Sequence, residues 1–414
     1  MTDSETPHYL VNLDLDLIPD LRLGHEDHKS LNSGNAVAFA GDVLDLDVVL
    51  FSNFNRSSWS GSARGRSFFT SKQIFTVLRE NLKIVLRDQH PRYTTIKSFC
   101  SPWPIYFCRD LLSDSMDHLE RYMDIVPDFE GFKAIQCLPL FNSARINTLK
   151  TTRDDILERL EAEAVAYQTF GWYPLGLRLD VDSPGKLREN LLGHIHIQEE
   201  VSMVPPLVLD PQPGEQVLDL CASPGSKTTQ ISQMMKNRGL IVANEPSLAR
   251  IAPLRSNCER LGVLNVAITR YDGRRFPRGA FDRVLVDAPC SSEGRERRGP
   301  GTLAKSSRKR SIGLQTLQIG LLKNAVRLAK PGGTVIYSTC TYAPEENEMV
   351  VETVLDEARL EQISIPGLKE CPGITAWNDE SLNDNLKKCV RYYPHLNDTG
   401  GFFVAKLIKN QECL

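Results

Sequence analysis

From Gln216 onward the chain alternates short apolar runs with longer segments of helical period. In order these are "QVLDLC", "SKTTQISQMMKN", "GLIVANE", "SLARIAPLRSNCERLG", "VAITR", "FDRVLVDA", "IGLQTLQIGLLKNAVRLA", "GGTVIYST" and "EENEMVVETVLDEA". Strand followed by helix, repeated, predicts a parallel sheet with both faces covered, a doubly wound α/β domain. "GGFFVAKLIK", Gly400 to Lys409, opens on Gly-Gly and continues as an apolar strand, expected as a late hairpin strand on one edge of the sheet. Upstream, "SMDHLERYMDIVPDFEGFKAI" has helical periodicity, and "SARINTLKTTRDDILERLEAEAVAYQTFGWYPLGLRLD" reads as strand, Thr/Asp-capped helix, strand. A small α/β module is therefore expected over roughly Ser115 to Lys186, with "DVDSPGKLREN" as a linker. In residues 1 to about 110, "YLVNLDLDLIPDL" suggests strands and "NRSSWSGSARGRS" a flexible basic loop, with no repeat and no motif. The expected division is 1–110, an extension of unknown role, then 111–190, the small module, then 191–414, the doubly wound domain.

Composition narrows the functional classes only a little. A chain of 414 residues has room for two or three domains with their own cores. Its formal net charge of -3 gives no global basic signature, so a nucleic-acid role must rest on a local patch. The ten cysteines include no Cys-x-x-Cys pair and no cluster at metal-ligand spacing, which argues for free thiols in a reducing compartment and for no metal. "MTDSETPHYL" is unlike a targeting sequence, and no apolar run approaches membrane-spanning length. A cytoplasmic enzyme or binding protein is expected, with no membrane partner.

Candidate chemistry gathers at the predicted strand ends. "VLDLCASPGSKTTQI", Val217 to Ile231, passes from an apolar strand through a small-residue turn into a helix at about Ser226. Backbone amides of Cys221, Ala222, Ser223, Pro224, Gly225, Ser226 and Lys227, apart from the proline, and the positive helix end can approach a polar ligand there. The first glycine of a phosphate-binding NTPase loop is missing. Glu245 ends the next strand, where a carboxylate accepts from a ribose hydroxyl pair, and Asp272 follows the third, where it can read an adenine amino group. The ordered set suits S-adenosylmethionine better than a dinucleotide, whose loop carries two or three closely spaced glycines. The bland alternative is that these acids are helix caps and solvated charges.

The fourth strand runs into "VDAPCSSEG" and the fifth into "YSTCTYAPEENE", so both deliver a cysteine, Cys290 and Cys340, to the same edge. Either alone is more often a small core residue. Two at adjacent strand ends, one near Asp287, suit pyrimidine chemistry. Carbon 5 of a pyrimidine is a poor nucleophile until a thiolate adds to carbon 6 and makes an enamine. A carboxyl at ring nitrogen 3 stabilises the developing charge if either the acid or the ring carries a proton, and Asp287 is the candidate.

"LDLCASPGSKTTQ", "DAPCSSEG" and "YSTCTYAPEENE" resemble motifs I, IV and VI of the Sun-type (NSUN, Nol/Nop/Sun) RNA cytosine carbon-5 methyltransferases. "RINTLK", "HIQEEVSMVPPLVLDPQPGE" and "RYYPHLNDTGGFFVAKL" resemble the family's small module, lead-in and closing segments, so the likeness runs from about Ser115 to the C-terminus. The resemblance implies a Rossmann-like class I methyltransferase with a mostly parallel seven-stranded sheet, preceded by a small α/β RNA-binding module. It implies Cys340 as nucleophile, Cys290 in product release, Asp287 at the target ring and Lys227 in the site. It also implies S-adenosyl-L-methionine against Cys221 to Lys227, Glu245, Arg250, Asp272 and Asp287. In DNA cytosine methyltransferases the Pro-Cys cysteine attacks, so the alternative exchanges the two thiols. Two departures stand out: Ser223 where the family has alanine, and Ser292 where it more often has glycine, which matters if that turn needs a positive φ.

"RERRGPGTLAKSSRKRS" carries Arg295, Arg297, Arg298, Lys305, Arg308, Lys309 and Arg310 against Glu296 alone. Such a run is usually a solvated face; beside the proposed pocket it becomes a phosphate-contact loop for structured RNA. Arg145 and Lys150 are weaker RNA candidates. The target base must be unpaired or flipped, which favours loops and bulges. Ribosomal RNA is expected, with "RYMDIVPDFEGF" leaning towards bacterial small-subunit enzymes, and transfer RNA is the alternative. A methyltransferase for another substrate and a catalytically silent RNA-binding assembly factor are the rivals. A monomer is expected.

Overall fold

The structure, a computed structural model, describes residues 37–40, 48–51, 117–299 and 301–411. The segments "YLVNLDLDLIPDL" and "NRSSWSGSARGRS" lie outside the described residues. Two compact units divide the chain, Met1–Phe99 and Cys100–Leu414. In the first, β1 (Val37–Ala40) and β2 (Val48–Phe51) pair antiparallel. Among the described residues Cys221, Cys258, Cys290, Cys340, Cys371 and Cys389 are free, but Cys137 is disulfide-bonded, against the expectation of free thiols throughout.

Among the described residues of the second unit, a 3-10 turn, Asp117–Tyr122, and a helix, Phe129–Gln136, come first. A four-stranded antiparallel sheet follows, built from β3 (Asn142–Ile146), β4 (Tyr167–Thr169), β5 (Gly176–Leu179) and β6 (Ile195–Ile197) in the order β4-β5-β3-β6. The helix Arg153–Ala162 lays Ile156 and Leu160 on its inner face, against Ala144, Ile146, Leu177, Leu179 and Ile195. Its start is fixed by a capping box in which Thr152 and Asp155 each accept from the other's backbone amide, as the Thr/Asp pattern predicts. The segment read as a linker contains two short helical turns, Pro184–Lys186 and Arg188–Leu191, and the sheet takes β6 from beyond it.

The large sheet contains β7 (Gln216–Asp219), β8 (Leu240–Asn244), β9 (Val266–Thr269), β10 (Phe281–Asp287), β11 (Ala329–Thr339), β12 (Ala358–Glu361) and β13 (Cys371–Pro372). A small separate ribbon, β14 (Ala376–Trp377) with β15 (Glu380–Ser381), precedes its last two members, β16 (Val390–Tyr392) and β17 (Phe402–Lys409). The order is β13-β16-β17-β11-β10-β7-β8-β9, with β12 also on β17. The five strands from β11 to β9 are parallel, so every expected strand of the doubly wound half is present. Two details differ from expectation. The sheet has nine strands rather than seven, because β12 and β16 share the position beyond β17 and β13 adds two residues to β16. For the same reason β17 is an interior strand, antiparallel to β11, and not an edge.

Both faces of the sheet are buried. Val284 and Val286 point into a cluster with Leu321, Leu322 and Ala325 of the helix Arg308–Leu328. Leu285 between them points the other way, towards Val204, Leu209, Ile231 and Met235. That period of two, apolar on both sides, is why the strand reads as an unbroken apolar run. It leaves the carboxyl ends of β7 to β11 as the place where polar side chains converge.

Candidate active site

β7 ends at Asp219, and the chain turns through Gly225 into the helix Ser226–Met234. Gly225 has φ 104°, and a Cβ on it would lie 3.0 Å from Leu254 Cδ1, so the turn needs glycine. In the first helical turn Lys227 sends its ammonium across the sheet edge to Asp287 at the end of β10, with Nζ 2.5 Å from Oδ2. The parallel register sets Asp287 beside Ser338 of β11, whose hydroxyl donates to the other carboxylate oxygen at 2.9 Å. Both oxygens of Asp287 are thus engaged, one of them by a cation.

Three residues beyond Asp287 and two beyond Ser338 stand Cys290 and Cys340, with their sulfurs 3.3 Å apart. The Cys340 amide also points at the Cys290 sulfur, 3.4 Å away. The two thiols differ. Hydrogen bonding to Cys340 and burial push Cys290 well above the ordinary thiol range. The Cys290 thiol donating to it holds Cys340 below that range, against burial and the nearby Asp287 charge and with help from Ser292 and Arg295. Cys340 is the better thiolate of the pair. Ser292 adopts φ 66°, so the turn that carries glycine in the family's pattern does require a left-handed residue here.

The loops bearing the thiols are stitched together from behind. The Ser291 hydroxyl meets that of Thr341 at 2.7 Å, and Thr341 donates to the buried Glu293 at 3.0 Å. Glu293 also accepts from Tyr122 and contacts His118 at 2.6 Å, tying the 3-10 turn Asp117–Tyr122 to the site. Glu346 accepts from the Ser291 amide and from Gln318, each at 2.9 Å.

On the neighbouring strand ends, buried Glu245 accepts from the Ser247 amide at 2.9 Å and pairs with Arg250 at 3.3 Å. Arg250 in turn donates to the Ser223 carbonyl at 2.9 Å, while the Ser223 hydroxyl donates to the Arg250 carbonyl at 2.8 Å. Glu245, Arg250 and the Cys221 to Lys227 turn therefore form one cradle. Burial pushes the Cys221 thiol well up. Asp272 has its partners within its own turn: its carboxylate caps the turn Gly273–Arg275 and grips the Arg274 guanidinium at 2.7 Å.

The basic run divides. Arg295, Arg298, Lys305, Arg308, Lys309 and Arg310 are exposed, the last three on the first turn of the helix Arg308–Leu328. Arg297 is buried and donates to the Leu138, Pro139 and Thr399 carbonyls and to Asp398 at 2.6 Å, so it staples the structure and is not available to RNA. Arg145 is likewise fully buried, donating to Gln198, Gln233 and Thr229. Lys150 donates to the Leu192 and Arg260 carbonyls.

Three neighbours of the site were not singled out by sequence reasoning. Ser338 lies inside "YSTC", but only the sheet register reveals its bond to Asp287. Asp219 is buried, pushed up to about 7 by desolvation, bonded by Thr228 through one oxygen and without a partner on the other. His196, pulled down to about 3 by burial, contacts the Ser226 hydroxyl at 2.9 Å.

A doubly wound sheet with a glycine turn, an acid after the second strand and paired thiols at the fourth and fifth defines a class I S-adenosylmethionine-dependent methyltransferase. The family of 16S rRNA methyltransferases RsmB/F matches residues 206–408. A tRNA (cytosine(49)-C(5))-methyltransferase of Pyrococcus abyssi is 41% identical over 70% of this chain and 95% of that protein. A human 28S rRNA (cytosine(4447)-C(5))-methyltransferase is 36% identical over 70% of this chain, which spans only 37% of that protein. A methyltransferase homologue from Pyrococcus horikoshii of known crystal structure is 34% identical, with TM-score 0.63 over 72% of this chain and 98% of that one. The chain belongs to the Sun-type family of S-adenosylmethionine-dependent RNA cytosine carbon-5 methyltransferases.

Proposed function

We propose that this chain methylates carbon 5 of a cytosine in structured RNA through a transient bond between Cys340 and the base. The observation that carries this reading is the sulfur pair 3.3 Å apart beside the Lys227–Asp287 pair, with Cys340 the more acidic thiol. S-adenosylmethionine, held by the turn from Cys221 to Lys227 with Glu245 and Arg250, supplies an electrophilic methyl group when bound. The residues fit it: Gly225 leaves room for close approach, and Asp219 keeps a buried oxygen unpartnered at the foot of the turn.

The Cys340 thiolate adds to carbon 6 of the cytosine, and the ring electrons move to carbon 5. Asp287, its oxygens held by Lys227 and Ser338, accepts a hydrogen bond from the protonated ring nitrogen 3, so that the proton stays on the ring and neutralises the charge that the addition brings in. After carbon 5 has gained its methyl group, a base removes its proton and the electrons return to expel Cys340 as thiolate. Cys290 assists this release.

Ribosomal RNA is the proposed substrate, in keeping with the RsmB/F match. Transfer RNA is the second reading, favoured by the archaeal relative that this chain covers almost end to end. Bisulfite sequencing of total RNA with and without the gene tests both: a protected cytosine that vanishes in ribosomal RNA supports the first, one in transfer RNA the second, and no change in either defeats the proposal.

A further inference from the structure

The stretch Arg295–Glu296–Arg297–Arg298 sorts its charges by direction. Glu296 is buried and accepts from the Gly301 and Leu303 amides at 2.8 and 2.7 Å, shaping the loop. Arg297, also buried, is spent on three carbonyls and Asp398. Arg295 and Arg298 are exposed. Their guanidinium groups make no hydrogen bond or ion pair among the described residues, and both line a cavity of about 360 Å³ with Ser292, Gly299 and Thr302. Ser292 carries the wall of this cavity to the thiols, its hydroxyl 4.0 Å from the Cys290 sulfur.

Two unpartnered guanidinium groups on one cavity repel each other and attract an anion. Desolvation pulls Arg298 below the ordinary arginine value; the Arg295 charge adds a smaller push in the same direction, and the Glu199 carboxylate opposes it. The cavity's size falls within the range of ligand pockets, roughly 300–1,000 Å³. A neutral base edge would add nothing to balance the two cations beyond the Glu199 charge that acts on Arg298, whereas a phosphodiester brings one full charge and acceptor oxygens that suit forked donors. Because the pocket adjoins the thiols, the anion in question must be linked to whatever base reaches Cys340.

We infer that Arg295 and Arg298 form a dedicated pocket for one phosphodiester flanking the target cytidine, so that the backbone of the flipped nucleotide is pinned beside the thiols while the rest of the basic run makes diffuse contacts. The inference rests on the RNA reading above and assigns a specific role to two members of the run. It makes the pocket a positioning device: the phosphate fixes how far the ring slides towards Cys340.

The test is a cycle between protein and RNA changes, read by equilibrium binding. The probe is a single-stranded RNA of about 15 nucleotides with one central cytidine, carrying either phosphates throughout or a neutral methylphosphonate on the 5′ or the 3′ side of that cytidine. The wild-type chain should lose about tenfold in affinity with one of the two modified RNAs. Arg295→Gln/Arg298→Gln should bind the unmodified RNA about tenfold more weakly, lower the salt slope by about 0.7, and become indifferent to the modification. Lys309→Gln, outside the cavity, should keep the full loss on modification. If the double variant still loses affinity on modification as wild type does, or binds unmodified RNA as wild type does, the pocket is refuted. Methylation of cytosine with additive effects would sink the pocket and spare the function; coupled effects without methyl transfer would do the reverse.

Discussion

The strand ends on the two sides of the site are built differently. At β8 and β9 the acids find partners close by in sequence: Glu245 takes Ser247 and Arg250, and Asp272 takes Arg274. At β10 and β11 the contacts that join Asp287 and the thiols each span 50 residues or more, Lys227 to Asp287, Asp287 to Ser338 and Cys290 to Cys340. Short-range pairs can form in any local turn, so they hold loops but imply little about chemistry. Pairs that exist only once the sheet has closed are costly to arrange, and here they converge on the thiols.

That contrast makes its largest prediction at the thiols. Cys340→Ala should reduce methyl transfer by about 10³-fold or more while cofactor affinity changes less than twofold; transfer near the wild-type rate would dissolve the distinction. Lys227→Met comes next, with kcat lower by about 10²-fold, because Asp287 loses the cation that orients it. Ser338→Ala should lower kcat by about tenfold and Ser338→Thr should restore most of it. A merely structural serine would lose stability in the alanine variant without this selective rescue.

The same comparison explains what could be read before folding. The alternation of strands and helices, the Thr152–Asp155 cap and the two cysteine motifs are local patterns, and all were legible. Arg145 and Arg297 were not, because a basic side chain in a charged stretch looks the same whether it faces water or staples carbonyls more than 100 residues away, as Arg297 does with Leu138 and Thr399. Ser338 escaped for the same reason: only strand register puts it beside Asp287. Ser292 lay between, since its sequence raised a condition on φ that the fold then met.

Smaller effects sharpen the boundary. With Cys340 as the proposed nucleophile the reacting form is the thiolate, and its pKa is lowered, so kcat/KM should rise with pH and reach its plateau below the ordinary thiol range. Ser292→Gly removes one of the groups that favour the thiolate and should move that limb to higher pH, while relief of the left-handed backbone stabilises the fold by at most about 1 kcal/mol. Smallest of all, Asp272→Asn should change cofactor affinity by less than about threefold if its main task is to hold Arg274 and cap its turn. A loss above about tenfold would return Asp272 to the adenine.

The most direct measurement is the fate of RNA on the Cys290→Ala variant. Incubated with S-adenosylmethionine and the RNA identified by bisulfite sequencing, this variant should accumulate a protein–RNA adduct that survives a denaturing gel, and peptide mass spectrometry should find the nucleotide on Cys340. An adduct on any other residue, or free turnover with no adduct at all, would contradict the assignment of Cys340 as nucleophile and Cys290 as the group that releases the product.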